Sequence, residues 1–217
     1  MATNPVKARV YRSRLREEQA LATRVRVIDA ARNLFQAPGY ASTSIAAVAE
    51  AAGVSPETIY KTFGSKRGIL SEMIDSALAG DQSPSPVLES DLFRRVLDGR
   101  TQRERLARLV TLTRTVLERA GPIHRIIREA AASDPEVRTL RAKHQADRLE
   151  GQTRFVETLT QLGPLRRGMS LAEGADIYWT TASPDVHDVL TRERGWSQDR
   201  YQSWLADALE ALLLDPA

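Results

Sequence analysis

Apolar residues along this chain recur three and four positions apart almost everywhere, the spacing of one face of an α-helix. No run alternates apolar and polar residues with the β-branched enrichment of a strand. The expected fold is all-α, with about nine or ten helices punctuated by Pro, Gly and Ser. A first helix is expected from about Glu18 to Gln36, with Val27, Ile28, Ala31, Leu34 and Phe35 as its stripe and Pro38-Gly39 as its stop. A short second helix, Ser44 to Ala52, turns Ile45, Val48 and Ala49 inward, and Gly53 ends it in a left-handed turn. Ser55 caps a third helix and Pro56 takes its first position, where a missing N–H costs nothing. That helix closes near Phe63-Gly64, and Ser65 caps a fourth reaching Ala79.

The stretch GDQSPSP, residues 80–86, then breaks the chain. A short helix is expected from Leu88 to Leu97, and Thr101 to Glu104 has the spacing of a capping box opening a helix to about Arg119. Gly121-Pro122 is expected to restart the chain, and Asp134-Pro135 to cap a long helix from Glu136 to Leu162. A helix at 171–182, one opened by Ser183-Pro184, and a last one opened by Ser197 follow. The stripe of the last helix is Tyr201, Trp204, Leu205, Ala208 and Leu212. The organisation is a basic arm over 1–17, expected to be disordered without a partner, a small helical unit over 18–64, and a larger one over 65–217. Residues 65–79 form a connecting helix within the last.

Net charge is only +3 over 217 residues, but it is unevenly placed. Residues 1–68 hold 11 basic and 5 acidic side chains, the remainder 20 and 23. A basic segment on a near-neutral body fits a polyanionic partner, although Arg-rich composition also varies by chance. The absence of cysteine excludes disulfides, thiol catalysis and Cys-ligated metal sites. No apolar run approaches the roughly 18–20 residues that span a bilayer, and no secretory h-region opens the sequence. A cytoplasmic protein with no membrane contact is expected.

The second and third helices have the pattern of a helix-turn-helix: small Ala49 at the crossing, Gly53 at the turn, and Val48, Val54 and Ile59 as a miniature core. That arrangement leaves one face of the third helix for a major groove. The stretch TSIAAVAEAAGVSPETIYKTFGSKRGIL, residues 43–70, resembles the DNA-binding signature of the tetracycline-repressor (TetR) family. The likeness extends over about residues 18–78, and the rest agrees in helix number and in a final helix pair. It implies an N-terminal three-helix DNA-binding domain and a larger C-terminal helical domain. That second domain would dimerise through its last two helices and hold a small-molecule pocket. The implied protein is a homodimeric repressor on a pseudo-palindromic double-stranded operator, with no cofactor. A helix-turn-helix protein without ligand response, or an enzyme that acquired the motif, are the alternatives.

The resemblance places Thr43, Thr58, Tyr60, Lys61 and Lys66 at DNA-touching positions. A hydroxyl at a helix N-terminus suits a phosphate for Thr43, and Thr58 could meet a thymine methyl or a base edge. The Tyr60 hydroxyl suits phosphate, Lys61 phosphate or guanine, and Lys66 would add its charge to the positive end of the fourth helix. Ser55 belongs to the same surface as the cap. Glu57 departs from the family pattern; it either favours the helix dipole or accepts from a cytosine amine. The arm over 9–16, RVYRSRLR, could enter an adjacent minor groove or remain a solvated tail.

In the larger unit, Val137, Leu140, His144, Gly151, Phe155, Leu159 and Leu162 share one face of the long helix. His144 and Gly151 are unusual there: they read either as a cavity with a polar handle or as a satisfied core histidine beside a close crossing. Phe93, Leu117, Ile127, Tyr178 and Trp179 join His144 and Phe155 as candidate pocket residues for a largely apolar effector. Val186, Val189, Leu190, Tyr201, Trp204, Leu205, Ala208 and Leu212 are candidate dimer-interface residues. The three histidines have no metal-ligand spacing, and no nucleophile elbow, P-loop or dinucleotide fingerprint occurs, so an enzyme is not expected.

Overall fold

The computed structural model describes residues 5–80 and 87–216, with side chains from residue 18 onward. Among these the secondary structure is helical: α1 (Pro5–Leu34), α2 (Ile45–Ala52), α3 (Pro56–Phe63), α4 (Lys66–Ala79), α5 (Asp91–Leu97), α6 (Gln102–Ala130), α7 (Pro135–Thr160), α8 (Leu171–Thr181), α9 (Pro184–Asp188) and α10 (Gln198–Leu213). The all-α expectation holds. The chain forms two compact units, Met1–Met73 and Ile74–Ala217, whose boundary falls inside α4.

In the first unit, helix ends are set by neighbours in sequence. Ser44 caps α2 by accepting from the Ala47 amide at 3.1 Å. Gly53 ends it at φ 64°, donating to the Glu50 carbonyl while the Val54 amide reaches Ala49, which is the Schellman pattern. Ser55 caps α3 by accepting from Thr58 at 3.3 Å, and Gly64 closes it. Val27, Ala31, Phe35, Val48, Ala49 and Ile59 are buried, as the periodicity predicts. The start of α1 differs from expectation. It is at Pro5, not near Glu18, so residues 5–17 of the arm are helical. Proline is preorganised to begin a helix, and the following run carries no Gly or Pro until Pro38, so its positive charge does not prevent helix formation. Residues 1–4 of the arm, and 81–86 of the GDQSPSP break, lie outside the described residues.

In the second unit α6 packs against α5, α7, α9 and α10, and α8 closes on α7 and α10. The chain does not restart at Gly121-Pro122: α6 runs through both. Apolar residues on either side, Leu117 before and Ile123, Ile126 and Ile127 after, are buried in one register, so tertiary burial outweighs the local cost of proline. Gly121 also admits the His187 ring, whose Nδ1 lies 3.5 Å from where a Cβ would sit. The Thr101 hydroxyl accepts from the Glu104 amide at 3.1 Å, but the Glu104 carboxylate takes the Arg100 amide instead of completing a capping box. A complete box occurs at Ser170 and Glu173, opening α8.

Periodicity gives no sign of one buried cation. Arg105, 7% exposed, donates to the carbonyls of Thr158 (2.6 Å), Leu97 (3.1 Å) and Gly99 (3.0 Å), tying α6 to the ends of α5 and α7. Those carbonyls belong to helix ends, whose last C=O groups lack helical partners, and the guanidinium supplies them.

Candidate functional site

The α2–α3 pair presents a polar surface. Ile59 is fully buried and fastens α3 to its unit, while Ser55, Glu57, Tyr60 and Lys61 are exposed; Tyr60 is 56% exposed although aromatic. Thr58 is half-buried, its hydroxyl 3.2 Å from that of Ser55. The Glu57 carboxyl is held below its usual range, first by a hydrogen bond from the Ser55 hydroxyl and then by its own amide. Glu57 thus completes the N-terminus of α3, which supports the helix-dipole reading over a base contact.

One expected DNA contact is corrected. Thr43 is 4% exposed, and its hydroxyl donates to the carbonyls of Leu34 (2.9 Å) and Gly39 (2.8 Å). Its only hydrogen is thereby committed inside the unit, and the cap of α2 is Ser44. Lys66 donates its ammonium to the carbonyls of Tyr40 (2.8 Å) and Thr43 (3.0 Å), with the Tyr40 ring 4.2 Å away. It fastens α4 to the turn before α2 and keeps its positive charge there, because neutral carbonyls take two of its three hydrogens and no charge, so the expected phosphate contact of Lys66 belongs with the proposal below. The Arg24–Glu72 pair at 2.6 Å joins α1 to α4 in the same unit.

The second unit contains a cavity of about 480 Å³, a size typical of small-molecule sites. Leu78, Leu112, Val116, Leu117 and Phe155 give it apolar walls; His124, His144, Arg148 and Gln152 give it a polar side. Gly151 also lines it, and a Cβ there would meet nothing within 4 Å. The cavity reading of His144 and Gly151 therefore prevails over the close crossing. His144 is 7% exposed and its Nε2 has no hydrogen-bond partner. Burial pushes its pKa down. His124 falls further, to about 4, through burial first and then the Arg148 charge and His144. Both imidazoles are neutral near pH 7. Arg148 is lowered to about 10 by burial and keeps its charge; it donates to the Trp179 carbonyl at 2.9 Å and stands 4.3 Å over that ring.

Of the candidate pocket residues, Leu117, His144 and Phe155 line this cavity. Ile127 and Trp179, with His144, line a smaller chamber of about 160 Å³. Phe93 and Tyr178 line neither, and both are corrected. Phe93 stacks against Phe155 at 5.3 Å, behind the wall. Tyr178 is fully buried, its hydroxyl bonded to that of Thr113 and its pKa pushed up to about 12 by burial. His124, Arg148 and Gln152 belong to the polar side, and the apolar stripe does not point to them. The signal in the sequence is the i, i+4 relation of His144, Arg148 and Gln152 on α7.

The interface candidates divide by face. Tyr201 and Leu205 are fully buried within the unit, in a row with Leu209 and Leu213, and are corrected to core residues. The row repeats every four residues along α10 and packs onto α6 and α8. Val189 and Leu212 are exposed, whereas Val186, Leu190, Trp204 and Ala208 are half-buried. His187 is also internal, bonded to Gln198 at 3.0 Å and edge-on to Tyr201. No grouping of side chains that could hold a metal ion, and no helix long and apolar enough to cross a membrane, occurs among the described residues.

Comparison with known proteins adds to this geometry. Residues 27–73 match the family model of bacterial regulatory proteins, tetR family. An uncharacterized HTH-type transcriptional regulator, YvkB of Bacillus subtilis (strain 168), is 32% identical over 75 residues, which span 35% of this chain and 40% of that relative. Among solved structures, NalD, the secondary repressor of the MexAB-OprM multidrug efflux pump in Pseudomonas aeruginosa, superposes with a TM-score of 0.68 at 18% identity, covering 92% of this chain and 100% of its own. FadR of Bacillus subtilis, in complex with stearoyl-CoA, gives 0.67 at 17% identity over 85% and 96%. A putative transcriptional regulator from Saccharomonospora viridis, in complex with choline, gives 0.61 at 24% identity over 89% and 98%. At these identities the structures establish the fold.

Proposed function

The chain belongs, through residues 27–73, to the tetR family of bacterial regulatory proteins, and from that premise we propose that it is a homodimeric transcriptional repressor that leaves a pseudo-palindromic double-stranded operator when a small molecule fills the cavity of its second unit. The observation that carries the reading is the exposed polar face of α3, with Tyr60 and Lys61 outward and Ile59 locked inward behind the Gly53 turn. In this reading α3 enters the major groove. Lys61, Lys66 and the Tyr60 hydroxyl grip phosphate, and Thr58 meets a base edge or thymine methyl. Two copies would set their recognition helices about 34–36 Å apart, one turn of DNA.

Val189 and Leu212 are apolar residues left exposed by the second unit, and in this proposal a second copy covers them. Ligand release requires only that the effector bind the DNA-incompetent form more tightly; a 100-fold preference corresponds to about 2.7 kcal/mol. The helix α4, which reaches from Lys66 to the cavity-lining Leu78, is the proposed lever. The cavity favours this over a protein without ligand response.

The test is selection of bound duplexes from a randomised pool, followed by titration of the winning site at several salt concentrations. A two-fold symmetric site should emerge. Lys61→Ala should weaken binding to all sequences and reduce the salt slope by about one. Absence of any enriched sequence, or a salt slope unmoved by Lys61→Ala, would sink the respective parts of the reading.

A further inference from the structure

The two chambers of the second unit share His124, His144, Arg148 and Pro184 as common wall. They differ in chemistry. The larger is walled mostly by aliphatic side chains and Phe155. The smaller is faced by Arg128, Arg141 and Arg148, with Asp185 as the carboxylate among its lining residues. Asp185 is already held by Arg128. Arg141 makes no hydrogen bond or ion pair among the described residues, and Arg148 has no carboxylate within ion-pair distance among them. Arg141 is half-buried, burial lowers the Arg148 guanidinium with Asp185 offsetting this only in part, and one carboxylate faces three guanidinium groups, so the smaller chamber has an excess of positive charge.

The polar atoms left over point the same way. Trp179 lines the smaller chamber and its indole N–H, which can only donate, is buried without a partner. His144 Nε2 is likewise unpartnered in the shared wall. Arg148 stays charged near pH 7 although burial lowers it. The two carboxylates beside the larger chamber, Asp75 and Asp147, are exposed, and Asp147 is paired with Lys143 at 2.6 Å. They leave the excess of positive charge in the smaller chamber in place.

We propose that the two chambers form one amphipathic site for an organic anion, whose apolar body occupies the larger chamber and whose carboxylate- or phosphate-class head sits between Arg141 and Arg148 in the smaller. The proposal deepens the reading of the cavity as an effector site and rests on it. A planar carboxylate or a phosphate suits guanidinium geometry, and the neutral imidazoles of His124 and His144 stand where head and body meet.

The experiment is calorimetric titration of the full chain, without DNA, with decanoate, decyl phosphate, decyltrimethylammonium and 1-decanol, each below its micelle concentration. At least one of the two anions should bind at least tenfold more tightly than the cation and the alcohol. Arg141→Gln and Arg148→Gln should each weaken that anion roughly tenfold or more, the loss expected for a charged hydrogen bond. Equal affinity for all four probes, preference for the cation or the alcohol, or no binding of either anion overturns the proposal, as does an Arg141→Gln variant with unchanged anion affinity. Arg141→Gln remains decisive if Arg148→Gln fails to fold, because Arg141 holds no bond among the described residues. Operator binding is measured separately. Anion binding that leaves DNA affinity unchanged would remove the ligand-release part of the proposed function while the anion site stands; release by 1-decanol with no anion binding would do the reverse.

Discussion

The α2–α3 pair and the α6–α7–α8 bundle handle polar groups in different ways. In the first, caps close within three residues: Ser44 with Ala47, Ser55 with Thr58. Buried Thr43 and half-buried Lys66 find carbonyls of the same small unit. The second has local caps too, at Thr101, Asp134 and Ser170, but adds bonds that cross the bundle. Arg105 reaches Thr158, Gln102 reaches Gly163, and Arg148 reaches Trp179. Two polar atoms there, His144 Nε2 and Trp179 Nε1, find no partner beside the chambers, and the Tyr201 hydroxyl finds none in the core. The first unit presents a fixed outer face and leaves Arg32 Nε without a partner, whereas the second keeps unsatisfied chemistry around empty space as well. Unpartnered buried polar groups are costly in a core and useful in a binding site.

The comparison breaks most severely at Arg105. Arg105→Ala should orphan two buried carbonyls, of Thr158 and Gly99, at roughly 1–3 kcal/mol each and not fully additive, and free the part-buried one of Leu97 to water. Urea denaturation should show a loss of several kcal/mol, and a loss below about 1 kcal/mol would mean that water replaces the guanidinium.

Acid should then separate the two units. His124 titrates near 4 when folded against an ordinary value of 6.5. Below 6.5 the unfolded chain takes up a proton that the fold refuses, so stability is full above that pH and falls as pH drops toward 4. Arg148 and His144 oppose its protonation and Asp185 only partly offsets them. His144 acts in the same direction. The expected loss is on the order of 2 kcal/mol. Denaturant melts at pH 7, 5.5 and 4 should show it, and His124→Gln should flatten the slope.

Gly53→Ala tests the local character of the first unit. At φ 64° a Cβ is strained although no neighbour obstructs it, so the expected cost is about 1–2 kcal/mol. Thermal melting of the full chain should report it alongside weakened DNA binding. The smallest effect sharpens the comparison from the other side. Gly151→Ala replaces a helical glycine facing open space and should stabilise the second unit by up to about 1 kcal/mol. A destabilised variant would show that the space beside α7 is not empty.

Local chemistry makes much of the molecule legible in its sequence. The all-α class, Gly53 as the left-handed stop of α2, Ser55-Pro56 as the start of α3, and the inward Ile59 follow from cap and turn chemistry and periodicity. His144 and Gly151 stand out from the apolar stripe, but the sequence leaves a cavity and a close crossing both open, and only packing decides for the cavity. Thr43 misleads. It stands where a family pattern puts a DNA contact, but its partners are carbonyls at Leu34 and Gly39, which spacing along a helix does not reveal. Tyr201 and Leu205 mislead because α10 has apolar residues on two adjoining faces, and periodicity cannot say which one a neighbouring helix covers.

The sequence by itself determined where most helices begin and end and which short helix stands outward with Tyr60 and Lys61, because caps, turns and the 3.6-residue repeat act over four residues or fewer. Only the tertiary structure decided that α6 continues through Pro122, that Arg105 is buried, that the 201–205–209–213 row faces inward, and that Arg141 and Arg148 border one chamber. Each of those depends on what packs against a helix from a distant part of the chain, and burial energy gained there outweighs the weak local preferences that a sequence displays.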